Sequence, residues 1–318
     1  MIDTINIFDM EFSHAGNWRT AGLMCGIRDK EYFDQHVKQT NKVTYVDKQN
    51  DWDGITLFTD RFLTKASSVN SKYKIGLISE SPIVWGQNDF FASTDAIWEL
   101  ENNFDFIFTF NNQMLKINPK KYKYIPADWI CIEDESFGLH RKSELVSMIY
   151  SEKGKSLLAG AGDRPLRHQV ADRFSDKIDL FGSGSPKGEL LLKSKSLNDY
   201  MFSISMENCI HDHYYTEKIL DCFVTGNIPI FRGCKSIGKF FDTRGIIFWN
   251  TLDELDEILN TLSPELYESM LPYAEINYKL SKRYVDPDEV LCRMINNCIA
   301  NPNFNTMKEF EYERETTN

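Results

Sequence analysis

The chain has 318 residues, of which 42% are hydrophobic, 13% aromatic and 26% charged, a globular composition that favours two domains. The formal net charge of -11 argues against a nucleic-acid partner, because a protein that binds nucleic acid needs a basic surface. A local basic pocket in this acidic chain would still suit a small anionic ligand.

Short β-branched and aromatic runs alternate with helical patterns along the chain, which predicts parallel sheets covered by helices. The predicted strands of the first half are 4–10, 42–47, 54–60, 73–80, 104–110 and 121–127. Those of the second half are 155–161, 177–182, 202–208, 228–233 and 246–250. Helices are predicted at 165–174, 217–225 and 251–262.

The polar stretch 133–144 separates the two series of strands, and we expect the halves to join near residues 130–150. The predicted fold class is α/β, with two Rossmann-like domains that face a central cleft. The predicted domains are residues 1–145 and 146–300, followed by a charged tail at 301–318. In such folds, ligands bind beyond the carboxyl ends of the strands, next to helix N-termini.

Residues 200–233, YMFSISMENCIHDHYYTEKILDCFVTGNIPIFRG, concentrate polar side chains at one predicted strand-to-helix turn. Thr216 is the predicted N-cap of the helix, and Gly226 stands where a C′ residue is expected. A helix N-terminus favours phosphate, so a diphosphate there would explain Lys218 in the first turn. Glu217 is suited to accept hydrogen bonds from ribose hydroxyls. A solvated Glu-Lys pair is the alternative for Thr-Glu-Lys alone.

The whole stretch resembles the signature of the α-1,3-fucosyltransferases, glycosyltransferase family 10. That signature reads Phe-x-x-x-Phe-Glu-Asn, a short spacer, Tyr-Val-Thr-Glu-Lys, an apolar helix and x-x-Pro-x-x-x-Gly. Met206 replaces its second Phe, and Tyr215 replaces its Val. The resemblance covers roughly residues 70–250 and is strongest over 200–241. The matching residues are Phe202, Glu207, Asn208, Tyr214, Thr216, Glu217, Lys218, Pro229 and Gly233.

The resemblance implies a GT-B fold and an inverting transfer of fucose from GDP-fucose to a hydroxyl of an acceptor glycan, in an α-1,3 linkage to GlcNAc or glucose. It also implies that Arg167 and Lys218 bind the GDP diphosphate. The residues that it places around the nucleotide are Asn208, Tyr214 and Glu217. Arg164 lies close enough in sequence to take the place of Arg167.

An inverting transfer needs a base that takes the proton of the acceptor hydroxyl while the nucleoside diphosphate leaves. Glu80 ends a predicted strand where the family has Gly-Glu-Asn, so it resembles the general base of the family. Ser79 and Ser81 stand in place of Gly and Asn, which leaves the details of acceptor binding open. Asp60, at the end of a neighbouring strand, and Glu207 are the alternative candidates for the base.

Metal binding at His211-Asp212-His213 is not expected, because the two histidines are only two residues apart and no third ligand is evident. The expected partners are a nucleotide-sugar donor and a glycan acceptor. We expect no obligatory cofactor besides the donor GDP-fucose, and a divalent metal is compatible with the reaction but not required. The sequence leaves the oligomeric state open.

The seven cysteines are scattered without a C-x-x-C pair, which predicts reduced thiols in a cytoplasmic compartment. No apolar run approaches the ~18 residues that span a bilayer, so no integral membrane segment is predicted. The transmembrane stem of the eukaryotic family members is absent, which favours the cytoplasm of a bacterium or of a virus-infected host.

Two other functions remain open from the sequence. The first is transfer from a different nucleotide sugar, since the motif concerns the diphosphate end of the donor. The second is a non-catalytic module that binds nucleotide or carbohydrate. The combination of Glu80, Arg167 and Lys218 is against such a module, which has no use for a base together with leaving-group charges.

Overall fold

The computed structural model describes residues 2, 4–9, 43–81, 94–150, 164–188, 190 and 192–313. Within these ranges, the first half of the chain forms one sheet. Its strands are β1 (Thr4–Phe8), β2 (Thr44–Asp47), β3 (Asp51–Thr59), β4 (Asn70–Ile78), β5 (Phe106–Thr109) and β6 (Tyr122–Tyr124). They lie in the order β2-β1-β3-β4-β5-β6, and neighbouring strands pair in parallel.

The second half forms a separate sheet of five strands in the order β11-β10-β9-β7-β8, again paired in parallel. Its strands are β7 (Glu144–Ile149), β8 (Asp179–Phe181), β9 (Tyr200–Met206), β10 (Ile228–Arg232) and β11 (Ile247–Phe248). Two parallel sheets in one chain confirm the predicted α/β class.

Helices connect and cover the strands. The described α-helices are α1 (Thr94–Asn103), α2 (Asn112–Ile117), α3 (Arg164–Phe174), α4 (Glu217–Val224), α5 (Leu252–Thr261), α6 (Pro264–Ser281) and α7 (Pro287–Ala300). In the described part of the chain, none of these helices has the length and apolar composition needed to cross a membrane.

Strand β7 corrects the prediction that this segment belongs to the connection between the halves. It pairs with both β8 and β9, so it lies inside the second sheet. Its apolar run is interrupted by Ser147, which is fully buried. The hydroxyl of Ser147 donates a hydrogen bond to the carbonyl oxygen of Ser196, which makes this burial tolerable. The predicted strand 155–161 lies outside the described residues.

The strand order reverses once in each sheet. β1 lies between β2 and β3, and β7 lies between β8 and β9. At such a reversal the loops that follow the two strands leave in opposite directions, which opens a crevice at the carboxyl ends of the strands. The loop after β3 and the turn after β9 therefore begin where a parallel α/β sheet binds its ligands.

Helix α4 packs in a buried cluster to which both halves of the chain contribute. The cluster contains Leu57 of β3, Phe223 of α4 and Ile295 of α7, each at most 1% exposed. The hydroxyl groups of Tyr124, Tyr215 and Tyr284 form a chain across the same region, with O–O distances of 2.8 and 2.9 Å. The N-terminal end of α4 is thus anchored to both halves.

Candidate functional site

The turn between β9 and α4 carries most of the polar residues singled out in the sequence. Thr216 is the N-cap of α4, and its hydroxyl accepts the backbone N–H of Lys218 at 3.5 Å. At the other end of the helix, Gly226 has a φ of 73°, which is the left-handed conformation expected of a C′ glycine. Both predicted ends of this helix are confirmed within one residue.

Glu207, the first residue after β9, supports this turn from inside the protein. Its side chain is fully buried and accepts hydrogen bonds from the N–H and the hydroxyl of Thr216, each at 2.9 Å. The ammonium of Lys218 lies 3.4 Å from its second oxygen. Burial raises the pKa of Glu207 in spite of these partners. Because this buried carboxylate already accepts hydrogen bonds from the turn and contacts Lys218, it is unfavourably placed to take a proton from an acceptor hydroxyl.

The cationic side chains of the site meet at the N-terminus of α4. Lys218 contacts Glu217 at 3.2 Å and the Thr216 hydroxyl at 2.9 Å. Arg167, from the first turn of α3, donates to the carbonyl oxygen of Met206 at 2.9 Å and to the side-chain oxygen of Asn208 at 3.3 Å. Burial acts to lower the pKa of Lys218, but Glu207 and Glu217 raise it above its usual value.

Two ammonium groups contact the carboxylate of Glu217. The Nζ of Lys193 lies 3.7 Å, and the Nζ of Lys218 3.2 Å, from the same oxygen, Oε1. Burial acts to raise the pKa of Glu217, but the two lysines and a hydrogen bond with Asp128 hold it well below its usual range. The pKa of Asp128 is raised well above its usual value by burial and by the charge of Glu217. These opposite shifts make Asp128 the donor and Glu217 the acceptor in the hydrogen bond between the two carboxyl groups.

A buried ion pair lies one helical turn further along α4. Asp221 is 1% exposed, and its carboxylate is 2.6 Å from the Nζ of Lys193. Its other oxygen accepts the backbone N–H of Cys131 at 2.8 Å. Burial raises the pKa of Asp221 to about 6, so the group is ionised at neutral pH. This pair joins α4, the 3-10 helix Lys193–Ser196 and the segment that connects the two sheets.

Tyr214 is placed differently from the other predicted nucleotide-binding residues. Its ring is 2% exposed and packs at 4.9 Å between centroids against Phe110, which follows β5 of the first sheet. Contact with the nucleotide stays a prediction for this residue. Arg164, the alternative to Arg167, is the first residue of α3, and its side chain lies outside the described part of the structure.

Two carboxylates lie just beyond the ends of neighbouring strands of the first sheet. Asp60 follows β3, and Glu80 follows β4. One oxygen of Asp60 accepts the backbone N–H groups of Ser79 and Glu80 at 3.0 and 3.1 Å, and the other accepts the Ser79 hydroxyl at 2.9 Å. The two strand ends are therefore tied together through the Asp60 side chain.

Glu80 has the acid–base properties that a general base requires. Burial and the nearby charge of Asp60 raise its pKa to about 7, although Lys218 acts to lower it. The charge of Lys218 therefore acts on Glu80, which places the two groups within electrostatic range of each other. A base works best when its pKa lies near the working pH, so a partly exposed carboxylate with a pKa of about 7 fits this role.

Among the described residues, no group of three or more His, Cys, Asp or Glu side chains could hold a metal ion. His213 is buried, its Nε2 lies 3.2 Å from the ammonium of Lys239, and burial lowers its pKa to about 4. The neighbouring Asp212 accepts a hydrogen bond from Asn112 at 3.2 Å.

The residues that support Glu217 were not predicted from the sequence. Lys193 and Asp128 belong to segments far from α4 in the chain, so no local pattern connects them with the motif. Asp221 offered a signal, because it is an acidic residue in a helix whose other residues from Ile219 to Val224 are all buried and uncharged. A charge on such a face needs a buried partner, and Lys193 provides it.

Comparison with known proteins supplies the wider context. The family described as glycosyltransferase family 10 (fucosyltransferase), C-terminal part, matches residues 139–308. An α-(1,3)-fucosyltransferase, FucT of Helicobacter pylori, is 28% identical over 109 residues. That match covers 33% of this chain and only 23% of the relative's length.

Solved structures resemble the chain over nearly its full length. A crystal structure of an α1,3-fucosyltransferase with GDP covers 94% of this chain and 90% of its own, at 15% identity and a TM-score of 0.54. HepE of Anabaena, solved in complex with UDP-glucose, covers 92% and 99% at 10% identity and a TM-score of 0.57. At these identities the likeness concerns the fold, and it confirms the predicted GT-B type.

Proposed function

The chain belongs to glycosyltransferase family 10, and on this premise we propose that it transfers fucose from GDP-fucose to a hydroxyl group of an acceptor glycan. The transfer inverts the anomeric centre of fucose. The new α-1,3 bond joins fucose to a GlcNAc or glucose residue of the acceptor. Donor binding is assigned to residues 146–300 and acceptor binding to residues 1–145. Residues 301–318 form the tail.

One observation carries this proposal: the charge of Lys218, in the first turn of α4, acts on the carboxylate of Glu80, whose pKa is raised to about 7 mainly by burial. Lys218 and Arg167 supply positive charge where the GDP diphosphate would develop negative charge as it leaves. Glu80, on the opposite side, takes the proton of the attacking hydroxyl. A base and a leaving group on opposite sides of the sugar are the arrangement that inversion requires.

The other donor-side residues have supporting roles in this proposal. Glu217, held ionised by Lys193 and Lys218, accepts hydrogen bonds from ribose hydroxyls. Asn208 and Tyr214 line the nucleotide pocket. No metal is obligatory, because Arg167 and Lys218 already neutralise the diphosphate. Transfer activity in the presence of a chelator tests this last point.

The donor is tested by thermal unfolding in the presence of GDP, GDP-fucose, GDP-mannose, UDP-galactose, UDP-GlcNAc and CMP-sialic acid. A ligand present at 100 times its dissociation constant adds about 2.7 kcal/mol to the free energy of unfolding, which raises the melting temperature measurably. We expect stabilisation by GDP and GDP-fucose alone. Preference for a UDP sugar would retain the fold and exclude fucose, and no stabilisation by any member would favour the non-catalytic module.

Lys218→Ala tests the leaving-group role. Loss of one group that stabilises developing charge lowers kcat by about 10²–10³-fold, and we expect at least this loss here, with no stabilisation by GDP. Lys279→Ala is the matched control, because Lys279 is exposed on α6 and forms a surface ion pair with Glu275 at 2.8 Å. A Lys218→Ala protein that transfers at the wild-type rate would remove Lys218 from the mechanism.

A further inference from the structure

We propose that Asp60 is a positioning residue for Glu80: it fixes the backbone that carries this base and places a second negative charge beside it. This inference rests on the proposed function, because it presupposes that Glu80 accepts the proton. Asp60 itself does not touch the acceptor in this scheme. It acts through Glu80.

The first support is the hydrogen-bond geometry. A single carboxylate accepts the N–H of Ser79, the N–H of Glu80 and the hydroxyl of Ser79. The distances are 3.0, 3.1 and 2.9 Å, all typical of good hydrogen bonds. Two successive residues at the end of β4 are thereby fixed relative to the end of β3. The direction in which the Glu80 side chain leaves the backbone follows from this constraint.

The second support is backbone strain. Asp60 has a φ of 42°, a left-handed conformation that is strained for a non-glycine residue. Glycine would adopt it without this strain. A strained aspartate at the strand end next to Glu80 indicates that its side chain is needed there, since the backbone alone favours glycine.

The third support is the distribution of charge. The charged groups that act on Glu80 are Asp60 and Glu217, which raise its pKa, and Lys218, which lowers it. Asp60 in turn faces the carboxylate of Asp9. Burial raises the pKa of Asp60 to about 6, so at neutral pH most of it is ionised. Its negative charge therefore makes Glu80 a stronger base.

Asp60→Asn separates the charge from the hydrogen bonds. The amide oxygen still accepts both backbone N–H groups, while the negative charge is gone. We expect the acid limb of the pH profile of kcat to move to lower pH by roughly 1 unit, because one like charge beside Glu80 has been removed. The KM for GDP-fucose is expected to be unchanged. A purely structural role would leave the pH profile in place.

Asp60→Gly separates the hydrogen bonds from the strain. The backbone conformation becomes relaxed, so we expect the melting temperature to be retained. The three hydrogen bonds are lost, so we expect kcat to fall by at least about tenfold through misplacement of Glu80. Asp105→Asn is the control, because Asp105 accepts the N–H of Lys74 at 2.8 Å in the middle of β4, away from the strand end that carries Glu80. This variant is expected to keep both kcat and the pH profile.

Two results would overturn the inference. One is a wild-type pH profile in Asp60→Asn together with wild-type kcat in Asp60→Gly. The other is loss of activity at every pH in Asp60→Asn while Glu80→Gln stays active, which would make Asp60 the base itself. Failure of the proposed function appears elsewhere, as absence of fucose transfer by the unaltered protein.

Discussion

The two sides of the candidate site place the same residue type in opposite electrostatic environments. On the side proposed to bind the donor, called the donor side, the ammonium groups of Lys193 and Lys218 hold the pKa of Glu217 well below its usual range. On the side proposed to bind the acceptor, called the acceptor side, burial and the charge of Asp60 raise the pKa of Glu80 to about 7. One glutamate therefore stays ionised at any physiological pH, whereas the other can gain and lose a proton.

The difference follows from how the two sides are built. The donor side places lysines and acids next to each other around one helix N-terminus, so its charges are compensated before any ligand binds. On the acceptor side, the charge of Asp9 acts on Asp60 and the charge of Asp60 acts on Glu80, and Lys218 is a cation that acts on Glu80. Paired charges suit binding and orientation, and an acid-rich edge suits proton transfer.

Glu80→Gln tests this division with the largest expected effect. The amide cannot accept the proton, so kcat is expected to fall by about 10²–10⁴-fold. Stabilisation by GDP should remain, because the donor side is unchanged. In the unaltered protein kcat should fall below about pH 7, as Glu80 becomes protonated, and this acid limb should be absent from the residual activity of the variant.

The control for this prediction is Glu135→Gln. Glu135 lies in a 3-10 helix of the connection between the sheets and is part of neither side of the site. We expect wild-type kcat and an unchanged acid limb. If Glu80→Gln also lost its stabilisation by GDP, the two sides would not be independent, and the comparison would have to be abandoned.

The donor side was predictable from the sequence because its motif is continuous. Thr216, Glu217 and Lys218 follow one strand within a dozen residues, and the helix that they begin ends at a glycine whose φ is 73°. Local patterns report such features because capping and helix termination are local interactions. The flanking strands β9 and β10 were predicted for the same reason.

The supporting interactions could not be predicted in this way. Lys193, Asp128 and the N–H of Cys131 meet α4 only after the chain has folded, and their sequence neighbours contain no matching pattern. Strand β7 was missed because a buried serine interrupts its apolar run. The role of Asp60 depends on a backbone angle and on the register of β3 against β4, neither of which is visible in the residue types.

Asp221→Asn tests whether the compensated donor side is also a stability element. Removal of one partner from a buried ion pair costs about 3–5 kcal/mol, and we expect the lower value, since Glu217 remains 3.7 Å from Lys193. The free energy of unfolding in denaturant measures the loss. Asp256→Asn is the control, because Asp256 forms its ion pairs with Arg173 and Lys177 at the surface. Such pairs contribute about 0–1 kcal/mol.

Equal losses in these two variants would show that the pair under α4 is no stronger than a surface pair. The donor side would then lack the buried compensation that distinguishes it from the acceptor side.

Thr216→Ala has the smallest expected effect and separates helix capping from ligand binding. Loss of the N-cap hydroxyl costs about 1 kcal/mol of stability. Thr251→Ala removes the corresponding cap of α5, whose hydroxyl accepts the N–H of Glu254 at 3.2 Å, and should cost the same. Only the Thr216 hydroxyl also contacts Glu207 and the ammonium of Lys218, both at 2.9 Å.

Stabilisation by GDP should therefore weaken in Thr216→Ala, stay unchanged in Thr251→Ala and return in Thr216→Ser, which keeps the hydroxyl. Equal stabilisation by GDP in both alanine variants would mean that Lys218 is positioned without help from the cap. The position of the Lys218 ammonium would then be set by Glu207 and Glu217, whose carboxylates lie 3.4 and 3.2 Å from it.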